Sequence, residues 1–325
     1  METIGAATEV GTVRFGASIW PWKWHKPYDG AIKRIGRAGF RATELIAWDD
    51  DSFTDYYTDQ TVRELRQILD DEGMLLSQFV VKTPELASPD PARRAAAVDL
   101  FKRGVEKTVA LGSPIINTTV HYPFGISFPR LMDRPLMQTF SQDVPGHLDW
   151  AQNWEDYTSA LRECAQAAQD GGIRYSLEPH PFRYGANTEG LLRILDAVDS
   201  PTLGVNVDPS HLFAVGDLPN VTVYRLGDRV LHCHFSDNDG ETNAHWRPGM
   251  GKIDWRQLLR ALADTGFDGV ISLEFEDIPG VARGFVDDHG VYHGNAEATG
   301  GFEDEYQTAL GYLTGLANEV GLNVD

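Results

Sequence analysis

The sequence predicts an α/β protein, a (β/α)8 barrel with long loops after the fourth and eighth strands. Three observations carry this. Eight strand-like apolar runs alternate with eight helix-like segments, and strict alternation implies parallel strands, which close at eight. The chain has 325 residues, a length that such barrels reach as one domain. The first strand–helix turn, "GASIWPWKW", lacks the glycine fingerprint that an open doubly wound sheet would need to bind a dinucleotide.

The elements follow in order. "TVRFGASIW" (12–20) precedes the helix-like "DGAIKRIGRAG", "ATELIAW" (42–48) precedes "DQTVRELRQILDDEG", and "MLLSQFVV" (74–81) precedes "DPARRAAAVDLFKRGVEKTVALG". "PIINTTV" (114–120) is separated by residues 121–150 from "WEDYTSALRECAQAAQDGG". Strand 174–180 precedes "TEGLLRILDAV", strand 203–208 a helical region to 228, and strand 230–236 "DWRQLLRALADTG". Strand 269–275 is separated by residues 276–300 from "FEDEYQTALGYLTGLANEV". The helices show apolar spacings of three and four. Gly39, Gly73, Gly112, Gly171 and Gly266 are expected to end helices in the left-handed conformation. The two long interruptions read as lids, binding loops or partner surfaces. One TIM-barrel domain over 1–325 is expected, with 1–11 a flexible N-terminal extension.

Composition bounds the function. The net charge is −20, which argues against unspecific nucleic-acid binding. No apolar run is long enough to span a bilayer, and the N-terminus has no secretion-signal pattern, so a cytoplasmic location and no membrane partner are expected. Cys164 and Cys233 lie far apart and read as buried thiols, without disulfide or metal role.

The late strands carry the chemistry. Side chains alternate faces along a strand. Glu178 with Ser176, Asp208 with Asn206, His234 with His232, and Glu274 with Ser272 each oppose an apolar set on the same strand. In a barrel the apolar face meets the helices, so the polar face points inward, where unpaired carboxylates would be costly. A bound divalent cation removes that cost, and sites of this fold lie at the carboxyl ends of strands. One metal held by Glu178, Asp208, His234 and Glu274 is therefore expected. The thiolate-free donor set suits Mn²⁺, the leading expectation, or Mg²⁺, Co²⁺ or Zn²⁺. The competing reading is a set of buried acid–histidine hydrogen bonds without metal.

Around this centre, His211 in "DPSH" is expected to lean over the site and bind substrate. His180 and His121 point at the mouth as further substrate-binding candidates. His232, one layer deeper, reads as a hydrogen-bonded core residue, and Glu276 as a loop residue. Trp20, Trp22 and Trp24 in "IWPWKWHKPY" cluster after the first strand, and aromatic faces stack on sugar rings or planar aglycones.

"SLEPH", "VNVDPSH", "LHCHFSD", "PGMGKIDW" and "VISLEFE" occur in an order that resembles the xylose-isomerase-like barrel superfamily, especially its sugar isomerase/epimerase branch with the ketose 3-epimerases. The resemblance covers strands five to eight well and the first half mainly in its rhythm. It implies Glu178, Asp208, His234 and Glu274 as metal ligands, Glu178 and Glu274 also as the acid/base pair, and His211 on a substrate oxygen. An arginine frequent in epimerases three residues before "PG" is His245 here, while Arg247 directly precedes Pro248, so both are substrate-binding candidates. A related branch cleaves the carbon–carbon bond of 3-oxo C-glycosides, its barrel subunit working with a small β-rich partner. By that resemblance His147 is a candidate base, and the long loops could hold such a partner. DNA-repair endonucleases of the superfamily bind three zincs and need further histidines, to which His245 and His121 could contribute, but the net charge of −20 is unfavourable to that reading. The expected activity is metal-dependent isomerisation or epimerisation of a ketose or oxo-sugar through an enediolate. C-glycoside deglycosidation is the first alternative and non-catalytic sugar binding around a structural metal the second. A small-molecule sugar or glycoside is the expected partner, with homo-oligomer and small partner subunit both open.

Overall fold

The computed structural model describes residues 11–126, 146–276, 278–279, 281, 285–286, 292–293 and 301–325. Strand–helix units run β1 (Thr12–Ser18), α1 (Asp29–Arg37), β2 (Ala42–Ala47), α2 (Asp59–Asp71), β3 (Leu75–Val81), α3 (Pro91–Leu111), β4 (Ile115–Thr119) and α4 (Trp150–Asp170). The second half runs β5 (Arg174–Glu178), α5 (Thr188–Val198), β6 (Leu203–Val207), α6 (Pro209–Ala214), α7 (Pro219–Leu226), β7 (Val230–Phe235), α8 (Trp255–Asp264) and β8 (Val270–Leu273). A short antiparallel pair, β9 (Phe285–Val286) and β10 (Tyr292–His293), precedes α9 (Phe302–Val320) and a final strand, β11 (Asn323–Val324).

The first eight strands pair in chain order, all parallel, and β8 pairs back onto β1 from Arg14↔Val270 to Ala17↔Leu273, closing the (β/α)8 barrel. β11 adds beside the start of β1. The expected flexible extension, 1–11, lies outside the described residues except for Gly11, as do 127–145 in the first long interruption and most of 277–300 in the second.

The apolar strand faces and the inner helix faces form one core. Phe101 of α3 lies 4.7 Å from Tyr175, Phe235 4.8 Å from Trp255, and Phe275 4.8 Å from Tyr306, ring centre to ring centre. Full burial of each large apolar side chain is worth roughly 1.5–3 kcal/mol. α8 shows how local sequence sets an element. Asp254 caps it by accepting from the Gln257 amide, Trp255, Leu258, Leu259 and Leu262 turn inward, and Gly266 follows at φ 70°. Four of the five expected terminating glycines have positive φ, but Gly171 does not. Its φ is −76°, and the left-handed residue is Gly172 at 69°. Gly171 is instead a packing glycine, because a Cβ there would come within 2.8 Å of Val105 Cγ1.

Both cysteines are buried and free. No helix among the described residues is long and apolar enough to cross a membrane.

Candidate metal centre and active site

The inward faces of the strands are polar well beyond the last four. Glu44 of β2 sits in register with Gln78 of β3, Asn117 of β4 with Ser176 of β5, and His234 of β7 with Ser272 of β8. Gln78, Asn117, Ser176, Asn206, His232 and Ser272 are fully buried. Asn117 donates to Ser176 Oγ at 2.9 Å, and His232 bonds Asn206 Oδ1 at 3.0 Å and Ser77 Oγ at 3.1 Å. This hydrogen-bonded floor replaces the bulky apolar filling of an ordinary barrel.

Above it, Glu178, Asp208, His234 and Glu274 each bring one donor atom into a group whose members lie within 4.8 Å of one another. All four are buried, at 4% exposure or less. His234 Nδ1 lies 2.9 Å from Glu178 Oε1 and 2.8 Å from Glu274 Oε2. Asp208 divides its carboxylate. Oδ1 accepts from the Ser210 and His211 amides, capping α6, while Oδ2 is buried with no hydrogen-bond partner. Glu274 Oε2 also lacks a hydrogen-bond partner despite its closeness to His234. Burial pushes the Asp208 carboxyl up to about 7, with Glu274 and Glu178 adding to the shift and His245 and His234 opposing it. Burial alone would lower the His234 imidazole, but Glu44, Glu274 and Glu178 raise it well above its ordinary value. Three carboxylates and an imidazole, with orphaned oxygens facing one point, are the donor set of a hard or borderline divalent cation.

A second group of histidines borders the centre. His211 Nδ1 bonds Asn243 Oδ1 at 2.8 Å, which leaves Nε2 as the bare nitrogen, 3.6 Å from Asp208 Oδ2. His180 lies against His211 with ring centres 3.8 Å apart and the rings tilted by 34°, and its Nδ1 is buried without a hydrogen-bond partner. His245 Nδ1 lies 2.9 Å from Ser236 Oγ and 4.0 Å from Asp208 Oδ2. The loop carrying Asn243 and His245 is pinned by Asp237, whose carboxylate accepts from the Gly249 and Ile253 amides and the Trp255 indole.

Other expected contacts lie elsewhere. His121 spends both nitrogens on structure, Nε2 on the Thr83 carbonyl at 2.7 Å and Nδ1 on the Tyr157 hydroxyl at 3.2 Å. Burial, with Arg183 adding, lowers it to about 3. It is a packing residue, because an imidazole between two such partners has no nitrogen left for a ligand. Trp22 turns into the core against Phe302 and Tyr306. Only Trp20 and Trp24 are half-buried, and both pack on Trp48. Arg247 gives its Nε to Glu305 of α9 at 2.6 Å. His147 is exposed on the segment leading into α4. Glu276 accepts from the Trp20 indole and pairs with Lys23.

Three residues here had no sequence expectation: Glu44, Gln78 and Lys82. Lys82, at the end of β3, holds its ammonium 5.3 Å from the centre of the Trp20 ring and 5.2 Å from that of Trp48. Burial, with Arg183 adding, lowers its pKa, while Glu178, Glu274 and Glu276 oppose the shift. Only Lys82 offered a signal, its position directly after the third predicted strand; Glu44 and Gln78 lie within their strands.

A closed barrel with a polar interior and a carboxylate–imidazole cluster at the strand ends defines a family. The chain belongs to the xylose isomerase-like TIM barrel family, whose sequence model matches residues 32–295. An uncharacterized protein of Methanocaldococcus jannaschii is 33% identical over 256 residues, 76% of this chain and 79% of its own length. The D-psicose 3-epimerase of Ruminiclostridium cellulolyticum is 25% identical over 263 residues, 79% of this chain and 81% of its own. A crystal structure of D-psicose 3-epimerase with D-tagatose, from Clostridium cellulolyticum H10, superposes with a TM-score of 0.71 at 20% identity, covering 94% of this chain and 99% of that one.

Proposed function

We propose that this chain is a divalent-metal-dependent sugar isomerase or epimerase that moves a proton beside the carbonyl of a ketose or oxo-sugar. The observation that carries this is the convergence of Glu178, Asp208, His234 and Glu274 from four successive strands within 4.8 Å, two of them glutamates able to exchange protons. The similarity to D-psicose 3-epimerase over four-fifths of both chains supports the substrate class.

The four residues would hold the cation, with Mn²⁺ the leading candidate. Bound there, it would polarise the substrate carbonyl and take up charge on the neighbouring oxygen. The chain's own residues do the rest. One of Glu178 and Glu274 removes the proton from the carbon beside the carbonyl, giving an enediolate, and the other returns a proton to the opposite face. That inverts the carbon, whereas return to the adjacent carbon isomerises the sugar. His211, neutral because burial and His245 keep it well below its ordinary value, offers its bare Nε2 to a substrate hydroxyl. Trp20 faces the Lys82 ammonium after the first strand, and Trp24 packs on the Trp48 ring that the same ammonium faces.

The test is metal analysis of the purified protein, followed by deuterium incorporation from heavy water into a panel of ketoses and 3-oxo-glycosides. Exchange is expected in the wild type, with a loss of about 10²–10⁴-fold in Glu274→Gln. Full turnover in a metal-loaded Glu274→Gln protein would reject the acid/base assignment. Release of free aglycone from a 3-oxo C-glycoside would move the activity to deglycosidation. Tight sugar binding with no exchange would mark a non-catalytic binder.

A further inference from the structure

His234 faces acids on both of its edges. Nδ1 looks toward Glu178 and Glu274, the side where the four donor atoms converge. Nε2 lies 2.8 Å from Oε2 of Glu44, which reaches across the barrel from β2. Glu44 is not among those four donors, yet it is only 1% exposed. Its Oε2 also accepts from Gln78 Nε2 at 2.7 Å; that amide lies 2.8 Å from His234 Nε2 as well and turns a hydrogen to the carboxylate, while Gln78 Oε1 accepts from the Ser176 hydroxyl at 3.3 Å. A buried carboxylate is costly, so its retention needs a partner that requires the charge.

A neutral imidazole carries one proton and one lone pair, and whichever nitrogen donates to an acceptor leaves the other for a metal. We infer that Glu44 is a positioning residue that holds the Nε2–H tautomer of His234, aims Nδ1 at the Glu178–Asp208–Glu274 donors, and raises the basicity of that nitrogen as a ligand. This rests on the reading of the four-residue cluster as a metal centre. Carboxylate–histidine–metal relays of this kind orient the ligand and tune its affinity. Glu44 also stands close enough to His232 and His234 for the three to form a metal-binding trio of their own. Both ring nitrogens of His232 are already engaged by Asn206 and Ser77, so that trio is a hydrogen-bonded support and not a second cation site.

The experiment compares wild type, Glu44→Gln and Glu44→Leu by calorimetric titration with Mn²⁺. It adds ¹⁵N NMR of histidine-labelled protein loaded with diamagnetic Zn²⁺, and thermal melting as a check on folding. Glutamine can still accept from Nε2–H but has lost the charge, so it should keep the tautomer and bind Mn²⁺ about tenfold more weakly. Leucine removes the acceptor and should cost about a hundredfold and lose the single Nε2–H signature of His234. Should the Glu44→Leu protein fail to fold, the Glu44→Gln protein alone decides. Mn²⁺ affinity within twofold of wild type in the folded variants, or a wild-type His234 metallated at Nε2, overturns the assignment. A wild type that takes up no Mn²⁺ overturns the metal-centre reading and this inference with it. Normal wild-type binding with unaffected variants sinks the Glu44 role alone.

Discussion

Replacing Asp208 by asparagine should make the metal-free protein more stable. The carboxylate is fully buried, and Oδ2 has no hydrogen-bond partner. Its pKa rises from 3.8 to about 7, so between those values the folded state binds more protons than the unfolded one. Stability from this group therefore falls as pH rises through that window. The penalty is about 2 kcal/mol at pH 5 and about 4 kcal/mol at pH 8. Asparagine keeps Oδ1 for the Ser210 and His211 amides and directs its amide toward the bare His211 Nε2, 3.6 Å from Oδ2 in the wild type. For 325 residues, a gain of 3–4 kcal/mol corresponds to a rise of about 5 °C in melting temperature. The assay is calorimetric unfolding of both proteins in EDTA and in excess Mn²⁺, at pH 5 and pH 8. In EDTA the variant should melt above wild type, by more at pH 8. In Mn²⁺ at one hundred times its Kd the wild type should gain about 2.7 kcal/mol and the variant far less. A variant that melts at or below wild type in EDTA at pH 8 would refute the idea that Asp208 is held ionised for a cation.

Two further substitutions test parts of the site that the ligand cluster does not include. Lys82→Met should leave Mn²⁺ affinity undiminished, because it removes a positive charge near the glutamates, yet lower kcat/KM at least tenfold on whichever sugar exchanges. Unchanged kcat/KM would show that the ammonium over Trp20 and Trp48 does not meet substrate. Gly251→Ala should lower the melting temperature by about 3 °C or more, since a Cβ there overlaps Asp237 Oδ1 and the Asn238 carbonyl. It should also raise KM by loosening the loop that carries Asn243 and His245, and a melt and KM equal to wild type would contradict the pinning role of Asp237.

The last four strands were legible because both signals they carry are local. An apolar set and a polar set alternate within five or six residues, and parity alone placed Glu178, Asp208, His234 and Glu274 on one face. β2 hid its member. In "ATELIA" every residue is buried, so one acid among apolar neighbours gave no polar set to read. Residues with other partners share a different cause. His121 and Trp22 were placed at the mouth by nearness in sequence to the strand ends, and Arg247 by the resemblance's arginine before "PG". Their partners come from distant parts of the chain: Thr83 and Tyr157, Phe302 and Tyr306, and Glu305.

By itself, then, the sequence determined the strand–helix alternation, the inward face of each late strand and the chemistry of the donors, because side-chain period and residue type are properties of a few consecutive residues. Only the tertiary structure decided that Glu44 meets His234 from 190 positions away, that His121 is used up by its neighbours, and that Asp208 caps a helix with one oxygen and faces the centre with the other. Those outcomes depend on which strands and helices become neighbours when the barrel closes, and no local window contains that information.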